Sequence, residues 1–93
     1  MSRKFSVSYH YLMAEADIPK LSSEWRRRVK SSIEEKLTTR PEIFGQPLCH
    51  SLAGYRKLRV GDYRIIFRIE KRNVKILFIG HRSDVYRLSE KRK

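Results

Sequence analysis

The stretch that decides the fold is Lys57-Leu58-Arg59-Val60-Gly61-Asp62-Tyr63-Arg64-Ile65-Ile66-Phe67-Arg68-Ile69. Two runs of strand-forming residues flank a dipeptide that begins with glycine, which is the pattern of a two-residue β-hairpin loop. We predict a type II′ turn, in which Gly61 takes a positive φ that a Cβ atom would disfavour. A loop of two residues also fixes which residues face each other across the strands.

That register divides the hairpin into an apolar face and a basic face. Val60 lies opposite Tyr63 on the apolar face, which we expect to point toward the core. On the other face Arg59 lies opposite Arg64, although like charges repel across strands. Cations clustered in this way predict an anionic ligand, bound on the face that carries Lys57, Arg59, Arg64 and Arg68.

A third strand follows the hairpin. The run from Val74 to Ile79 is almost wholly apolar, as expected of a central strand that is buried on both faces. A turn at residues 70–73 then pairs it with the preceding strand and places Arg64 opposite Ile79. In this register His81 falls on the basic face, with Arg82 and Tyr86 close behind it in the chain. The sequence therefore predicts a basic sheet face with a histidine and a tyrosine at its edge.

The first half of the chain predicts one strand and two helices. Polar and apolar residues alternate over residues 4–9, which indicates a strand, and residues 11–21 indicate a helix interrupted or ended at Pro19. Ser22 can cap a second helix. The apolar stripe of that helix recurs every four residues, at Trp25, Val29, Ile33 and Leu37.

The remaining segments connect and close the domain. Residues 38–51 contain two prolines and a glycine and predict a loop, whereas residues 83–93 predict a short tail with a solvated end. The order of elements is β-α-α-β-β-β. We predict one α+β domain over residues 1–93, with a helical hairpin packed on a curved antiparallel sheet.

Composition narrows the class of function. The 93 residues include 22 Lys and Arg against 10 Asp and Glu, a formal net charge of +12, which predicts a polyanionic partner such as nucleic acid. One cysteine allows no internal disulfide and fits a reducing compartment. No apolar stretch suits a signal peptide or a membrane span, so we expect a cytoplasmic protein without membrane contact.

The residue types favour metal-independent cleavage of a phosphodiester. The sequence lacks CxxC, HExxH and glycine-rich phosphate-loop motifs, so we expect no metal and no cofactor. Ser83, His81 and Asp84 are too crowded in sequence for a nucleophilic triad. RNA can instead be cleaved by its own 2′-OH, provided that the enzyme aligns the attack, stabilises the phosphoryl oxygens and moves two protons.

Several residues suit these tasks. Arg64 is the candidate for the phosphoryl oxygens, because a planar guanidinium donates two parallel hydrogen bonds. Lys57 lies among like charges, which favour its neutral form, and His81 titrates near neutrality. Tyr86 offers a ring for base stacking. The composition does not decide which group is the acid and which is the base.

These residues resemble the RelE/ParE superfamily of bacterial toxin–antitoxin toxins, and within it the RelE-type mRNA interferases. The matching stretches are residues 52–64 and 80–87. The resemblance implies cleavage of mRNA in the A site of the 70S ribosome, and neutralisation by a cognate antitoxin that wraps the toxin in a hetero-oligomer. A concave cationic face and apolar anchors beside the helices would also attract an acidic, amphipathic partner.

The resemblance also implies individual roles. Arg64 matches the phosphate-binding arginine, Lys57 a catalytic lysine, Arg82 the arginine after the last strand and Tyr86 the stacking tyrosine. His81 is absent from some relatives and common in others, where it can transfer a proton. The predicted catalytic set is therefore Lys57, Arg64, His81, Arg82 and Tyr86, and the predicted RNA-binding set is Tyr55, Arg56, Arg59 and Arg68.

One departure from the family pattern and two alternative functions remain. Tyr55 stands where some relatives have a second lysine, so a two-lysine acid–base scheme is in doubt. ParE-type members share the fold and the hairpin but poison DNA gyrase, which makes a gyrase inhibitor the main alternative to an RNase. A binding module for RNA or the ribosome, without catalytic activity, is the third interpretation.

Overall fold

The computed structural model describes residues 4–93. The elements are β1 (Ser6–Tyr9), a first helical segment (Met13–Asp17 and Ile18–Lys20), α1 (Ser23–Ser32) with a wider final turn (Ile33–Leu37), α2 (Pro41–Phe44), β2 (Gln46–Pro47), a short turn (His50–Leu52), β3 (Arg56–Val60), β4 (Tyr63–Glu70), β5 (Asn73–His81) and α3 (Val85–Arg92). The strands form one sheet in the order β1-β5-β4-β3-β2. This confirms the predicted α+β class.

The β3–β4 hairpin has the predicted register. Arg59 lies opposite Arg64, and Val60 lies opposite Tyr63. Gly61 has a φ of 59°, and Asp62 is not among the residues with positive φ, which is the combination that a type II′ turn requires. The turn lies against α1, where a Cβ atom on Gly61 would collide with the Trp25 indole ring. Glycine is needed here for its conformation and its size.

The sheet is mixed, so the predicted all-antiparallel pairing is wrong at one edge. β1 pairs in parallel with β5, where Val7 lies opposite Val74. Alternation of polar and apolar residues marks a strand but carries no information about its direction, which the path of the chain determines. At the other edge, β2 adds two residues to β3 from within the predicted loop.

A β-bulge shifts the register between β4 and β5 by one residue. The pairing of Ile69 with Val74 is as predicted. The register shifts between Ile66 and Phe67, and beyond this point Arg64 lies opposite Gly80. The predicted pairing of Arg64 with Ile79 is therefore wrong. A bulge inserts one unpaired residue, and a continuous apolar run such as residues 74–79 gives no sign of it. The shift places a residue without a side chain opposite Arg64.

The helices cover one face of the sheet. Ser22 caps α1, since its Oγ accepts a hydrogen bond from the Trp25 amide at 3.3 Å. Three residues of the predicted stripe are buried, and the fourth, Trp25, is partly buried against them. They pack with sheet residues into a core that includes Val29, Ile33, Leu37, Leu58, Ile65, Phe67, Val74, Ile76 and Ile79. No helix within residues 4–93 has both the length and the apolar character needed to cross a membrane.

The C-terminal segment is a helix, so the prediction of a short tail is wrong. Val85 of α3 is buried, and Leu88 packs beside it against the second face of the sheet. The sheet residues below them are Ile66, Leu77 and Phe78. Part of the face predicted to be open and basic is therefore an apolar contact with α3.

A buried ion pair fastens the end of α3. Arg92 Nη1 lies 2.8 Å from Asp17 Oδ2, and the two side chains are 9% and 1% exposed. The same carboxylate oxygen accepts the Ile79 amide at 3.0 Å, while Arg92 also donates to the Leu77 carbonyl at 3.1 Å. The Arg92 guanidinium lies 4.1 Å from the centre of the Phe78 ring. The predicted solvated end is therefore wrong for Arg92.

Candidate active site

Four of the five predicted catalytic residues line one shallow depression. Its volume is about 450 Å³, and its walls are formed by Arg64, His81, Arg82, Ser83 and Tyr86. Arg64 comes from β4, His81 ends β5, and Tyr86 lies in the first turn of α3. The depression thus forms where the hairpin, the end of the central strand and the C-terminal helix meet.

The bulge lies in β5, where Leu77 falls between the pairs Ile66–Phe78 and Phe67–Ile76, and it brings Gly80 opposite Arg64. Gly80 faces Arg64, and a Cβ atom there would lie 2.9 Å from the Phe78 ring and 3.6 Å from Val85. The Arg64 guanidinium bends toward the hairpin turn, where Nη1 donates to the Gly61 and Tyr63 carbonyls, each at 2.9 Å. A guanidinium has five N–H donors, so the remaining ones can bind a phosphoryl group.

Arg82 is tethered to the same turn. Its amide donates to the Asp62 carbonyl at 2.8 Å, and its Nε lies 3.8 Å from Asp62 Oδ1. Both side chains are exposed, 63% and 66%, and such pairs contribute at most about 1 kcal/mol because water screens them. The backbone contact therefore fixes the position of Arg82, while its side chain remains free to turn toward an anion.

His81 is held by its neighbour Ser83. The Ser83 amide lies 3.2 Å from His81 Nδ1, and the Ser83 hydroxyl lies 2.8 Å from it. A backbone amide can only donate, so Nδ1 carries the lone pair and the neutral ring carries its proton on Nε2. The Tyr63 ring meets the imidazole edge to face, with 5.7 Å between centres. His81 therefore offers an oriented Nε2–H donor.

The register places His81 differently from the prediction. His81 lies opposite Tyr63, on the apolar face of the hairpin, so its predicted place on the Arg64 face is wrong. It reaches the depression because it is the last residue of β5, at the edge of the sheet.

Lys57 does not line the depression itself, but it lies close to Tyr86, which does. Its Nζ lies 5.6 Å from the centre of the Tyr86 ring, a favourable position for a cation above an aromatic face. Tyr86 itself packs against the apolar cluster under α3, which fixes its ring. The structure therefore brings all five predicted catalytic residues together.

The predicted RNA-binding residues are not gathered in this depression. Arg56 donates to the Glu42 and Gly45 carbonyls at 3.3 and 3.0 Å and so ties β3 to the loop after α2. Arg59 lines a separate depression beside α1. Tyr55 and Arg68 line a third one.

Arg68 is also partly neutralised. Its Nη2 lies 3.1 Å from Glu70 Oε2, while Lys75 Nζ lies 2.7 Å from Glu70 Oε1. The hydrogen bond from Lys75, with the positive charges of Lys75 and Arg68, holds the pKa of Glu70 below its ordinary value. This end of the sheet is consequently less cationic than the sequence predicts.

Sequence reasoning missed the supporting roles of Ser83 and Asp62. Ser83 hydrogen-bonds His81, whereas Asp84 pairs with Arg87 at 3.3 Å, so the three residues do not form a triad. The contact between Asp62 and Arg82 joins the hairpin turn to the residue after β5. It could not be predicted without the register of β5. Within residues 4–93, no three His, Cys, Asp or Glu side chains are grouped as metal ligands would be.

Comparison with known proteins places the chain in a family. Residues 12–86 match the family model described as ParE toxin of type II toxin–antitoxin system, parDE. The chain is 37% identical over 76 residues to toxin RelG of Mycobacterium tuberculosis, covering 80% of this chain and 87% of that protein. It is 36% identical over 55 residues to toxin RelE of the same organism, covering 57% of each.

Solved structures share the fold. One chain in the solved structure of the RelBE2 toxin–antitoxin complex of Mycobacterium tuberculosis superposes on this chain with a TM-score of 0.78 at 30% identity. The match covers 90% of this chain and 98% of that chain. The RelB–RelE complex of Methanococcus jannaschii gives a TM-score of 0.63 at 20% identity, covering 86% and 95%, which is a likeness of fold. The chain therefore belongs to the ParE toxin family of type II toxin–antitoxin systems, within the RelE/ParE superfamily.

Proposed function

We propose that this toxin is a ribosome-dependent, metal-independent endoribonuclease, active as a single domain over residues 1–93, that cleaves mRNA in the A site. The observation that carries the proposal is the convergence of Arg64, His81, Arg82 and Tyr86 on one depression, with Lys57 above the Tyr86 ring. Together these side chains supply an anion site, two groups that can move a proton and a stacking platform. Cleavage by the 2′-OH needs these three things.

The proposed roles follow from the contacts. Arg64 and Arg82 bind the phosphoryl oxygens, because both residues line the depression. The Arg64 guanidinium is held at the Gly61–Asp62 turn, and Arg82 is anchored to the same turn by its backbone amide. Lys57 and His81 move the protons, one from the 2′-OH and one to the 5′-oxygen. Tyr86 stacks on a base, since its ring is held by the cluster beneath α3.

The family match favours one second candidate, inhibition of DNA gyrase by a ParE-type toxin. In that case the cationic depression would be a docking surface for a protein. Proton-transfer groups and the Tyr86 hydroxyl would then have no part in the activity.

Parallel assays of mRNA cleavage and gyrase supercoiling separate these two functions, and substitution of Tyr86 tests its stacking role. We expect Tyr86→Ala to raise the activation free energy of mRNA cleavage by about 1–3 kcal/mol, which is the contribution of one base–aromatic stack. Tyr86→Phe should retain most of the cleavage activity. The measurement is loss of full-length mRNA in a translating extract, run beside a gyrase supercoiling assay. Tyr11→Ala is the matched control, because Tyr11 is 81% exposed and outside the depression. Inhibited supercoiling with intact mRNA would favour the gyrase candidate.

We also propose a cytoplasmic complex with a cognate antitoxin. A mostly apolar groove of about 560 Å³ lies beside α1, and its lining includes Tyr9, Tyr11, Ile18 and Leu21. The RelBE2 and RelB–RelE structures are complexes of a toxin with an antitoxin. We expect the product of the neighbouring gene to co-purify with this chain. A toxin that is harmless when expressed alone would contradict this pairing.

A further inference from the structure

A second basic depression lies on the other side of the hairpin turn. It has a volume of about 510 Å³ and lies between α1 and β3, and we refer to it as the α1–β3 cleft. The polar groups that line it are those of Arg27, Arg28, Ser31, Ser32, Lys36 and Arg59. It holds four cations, of which Arg59 belongs to the predicted RNA-binding set, and the proposed catalytic roles use none of them.

Within the described residues, these four cations have no carboxylate partners. None of the ion pairs within residues 4–93 includes Arg27, Arg28, Lys36 or Arg59. Among the lining residues, Ser31 contacts a carboxylate, since its hydroxyl donates a hydrogen bond to Glu35 Oε2 at 3.3 Å. Like charges held together in this way raise the free energy of the empty cleft, and a bound polyanion lowers it.

Stacked side chains connect the cleft to the active-site depression. In the cleft, the Arg28 guanidinium lies 4.4 Å from the centre of the Trp25 ring. The centres of the Trp25 and Tyr63 rings are 4.8 Å apart, and those of the Tyr63 and His81 rings are 5.7 Å apart, so the stack ends at the active site. The hairpin turn runs beside this stack. Gly61 lines the cleft, and its carbonyl accepts the hydrogen bond from Arg64 on the other side. The two depressions are therefore neighbours with a fixed spacing.

The lining favours a phosphate backbone over an acidic protein segment. It offers guanidinium, ammonium and hydroxyl donors, and Val60, its main apolar contributor, is only 7% exposed. A docked peptide needs apolar pockets for its anchor side chains, whereas a single-stranded nucleic acid needs a cationic groove that follows its backbone. The α1–β3 cleft supplies the second kind of surface.

We propose that the α1–β3 cleft binds the phosphodiester backbone of the RNA strand being cleaved, at nucleotides that flank the reacting phosphate. The strand passes over the Gly61–Asp62 turn and occupies both depressions, so that the cleft holds the RNA while the active site reacts. This inference rests on the proposed RNase function, since it identifies the strand as the substrate.

The test is the salt dependence of RNA binding. We would measure fluorescence anisotropy with an all-2′-O-methyl RNA of about 12 nucleotides, which lacks the attacking hydroxyl, and with a trinucleotide that fills one depression. Arg27→Ala/Arg59→Ala removes one cation from each wall of the cleft. It should flatten the slope of log K against log[salt] by about 1.4 for the long RNA, since each single-strand phosphate contact contributes about 0.7. The trinucleotide is too short to occupy both depressions at once, so its slope reports the phosphate contacts that one depression makes by itself.

Lys71→Ala/Lys91→Ala is the matched control, with the same loss of charge at exposed positions outside both depressions. An unchanged slope in the cleft variant, with mRNA cleavage retained, would overturn the cleft and leave the RNase function standing. Loss of antitoxin affinity without any change in RNA binding would also overturn it, in favour of protein docking. The predicted slope change in a protein that cleaves no mRNA would show that the cleft binds RNA, but it would overturn both the RNase and the assignment of the cleft to a strand being cleaved.

Discussion

Replacing Arg64 with alanine is expected to lower the rate of mRNA cleavage by about 10²–10³-fold, the usual effect of removing one preorganised donor to a developing oxyanion. The Gly61 and Tyr63 carbonyls hold the guanidinium in place before the substrate arrives. Because the side chain contributes nothing to either apolar core, the variant should fold normally. The loss should therefore appear in kcat and leave the unfolding midpoint nearly unchanged.

Arg68→Ala is the matched control for this variant. Arg68 lies on the same strand, but its guanidinium pairs with Glu70 outside the active-site depression. A substitution at such an exposed position should change stability by no more than about 0.5 kcal/mol. It should also leave cleavage close to that of the wild type. Equal losses in both variants would show that overall charge, rather than the Arg64 site, limits the reaction.

Breaking the buried ion pair between Asp17 and Arg92 is expected to destabilise the protein by about 3–5 kcal/mol, because one charge is left buried without its partner. Total stabilities of domains are about 5–15 kcal/mol, so this is a large share. Arg92→Met retains a long apolar side chain over Phe78 but leaves the Asp17 carboxylate unpaired. Urea unfolding of the wild type and the variant measures the difference.

Arg87→Ala on the same helix is the control, because the Arg87–Asp84 pair is exposed, with side chains 61% and 54% accessible. Exposed pairs of this kind contribute about 0.3–0.5 kcal/mol. If Arg92→Met were no more destabilising than Arg87→Ala, the ion pair would not fasten α3. Loss of α3 order should also impair mRNA cleavage, since Tyr86 lies on that helix.

The hairpin could be predicted because its signals are local. A glycine-first dipeptide between alternating runs sets both the turn and the register, and the pairing of Arg59 with Arg64 follows directly. The α1 stripe is similarly local, since spacing by four residues on a helix defines one face. The hairpin register alone was sufficient to place Lys57 and Arg64 correctly relative to each other.

The β4–β5 register could not be predicted, because it depends on a bulge. Any one-residue slip keeps apolar residues paired with apolar residues in residues 74–79, so the sequence does not mark the position of the shift. The outcome matters for the site, since it brings Gly80 rather than Ile79 opposite Arg64. The role of α3 was missed because its inward-facing residues are mixed, with Val85 and Leu88 apolar but Ser89 and Arg92 polar.

The sequence predicted which catalytic candidates lie close together better than it predicted this for the RNA-binding candidates. Arg64, His81 and Arg82 meet at the end of the sheet beside the hairpin turn, and α3 brings Tyr86 to them and to Lys57. The binding candidates were grouped by sheet face alone, and a sheet face spans several separate depressions. The structure consequently separates Arg59 from Arg68 and turns Arg56 toward backbone carbonyls.

The most direct test is the position of the cut on programmed 70S ribosomes. Primer extension should map cleavage to the A-site codon when this chain is added, with none on free mRNA and a loss of about 10²–10³-fold with Arg64→Ala. A cut that persists unchanged with Arg64→Ala would contradict the assigned site. Intact mRNA with the wild-type chain would contradict the RNase itself, and the basic depression would then be a surface for docking gyrase.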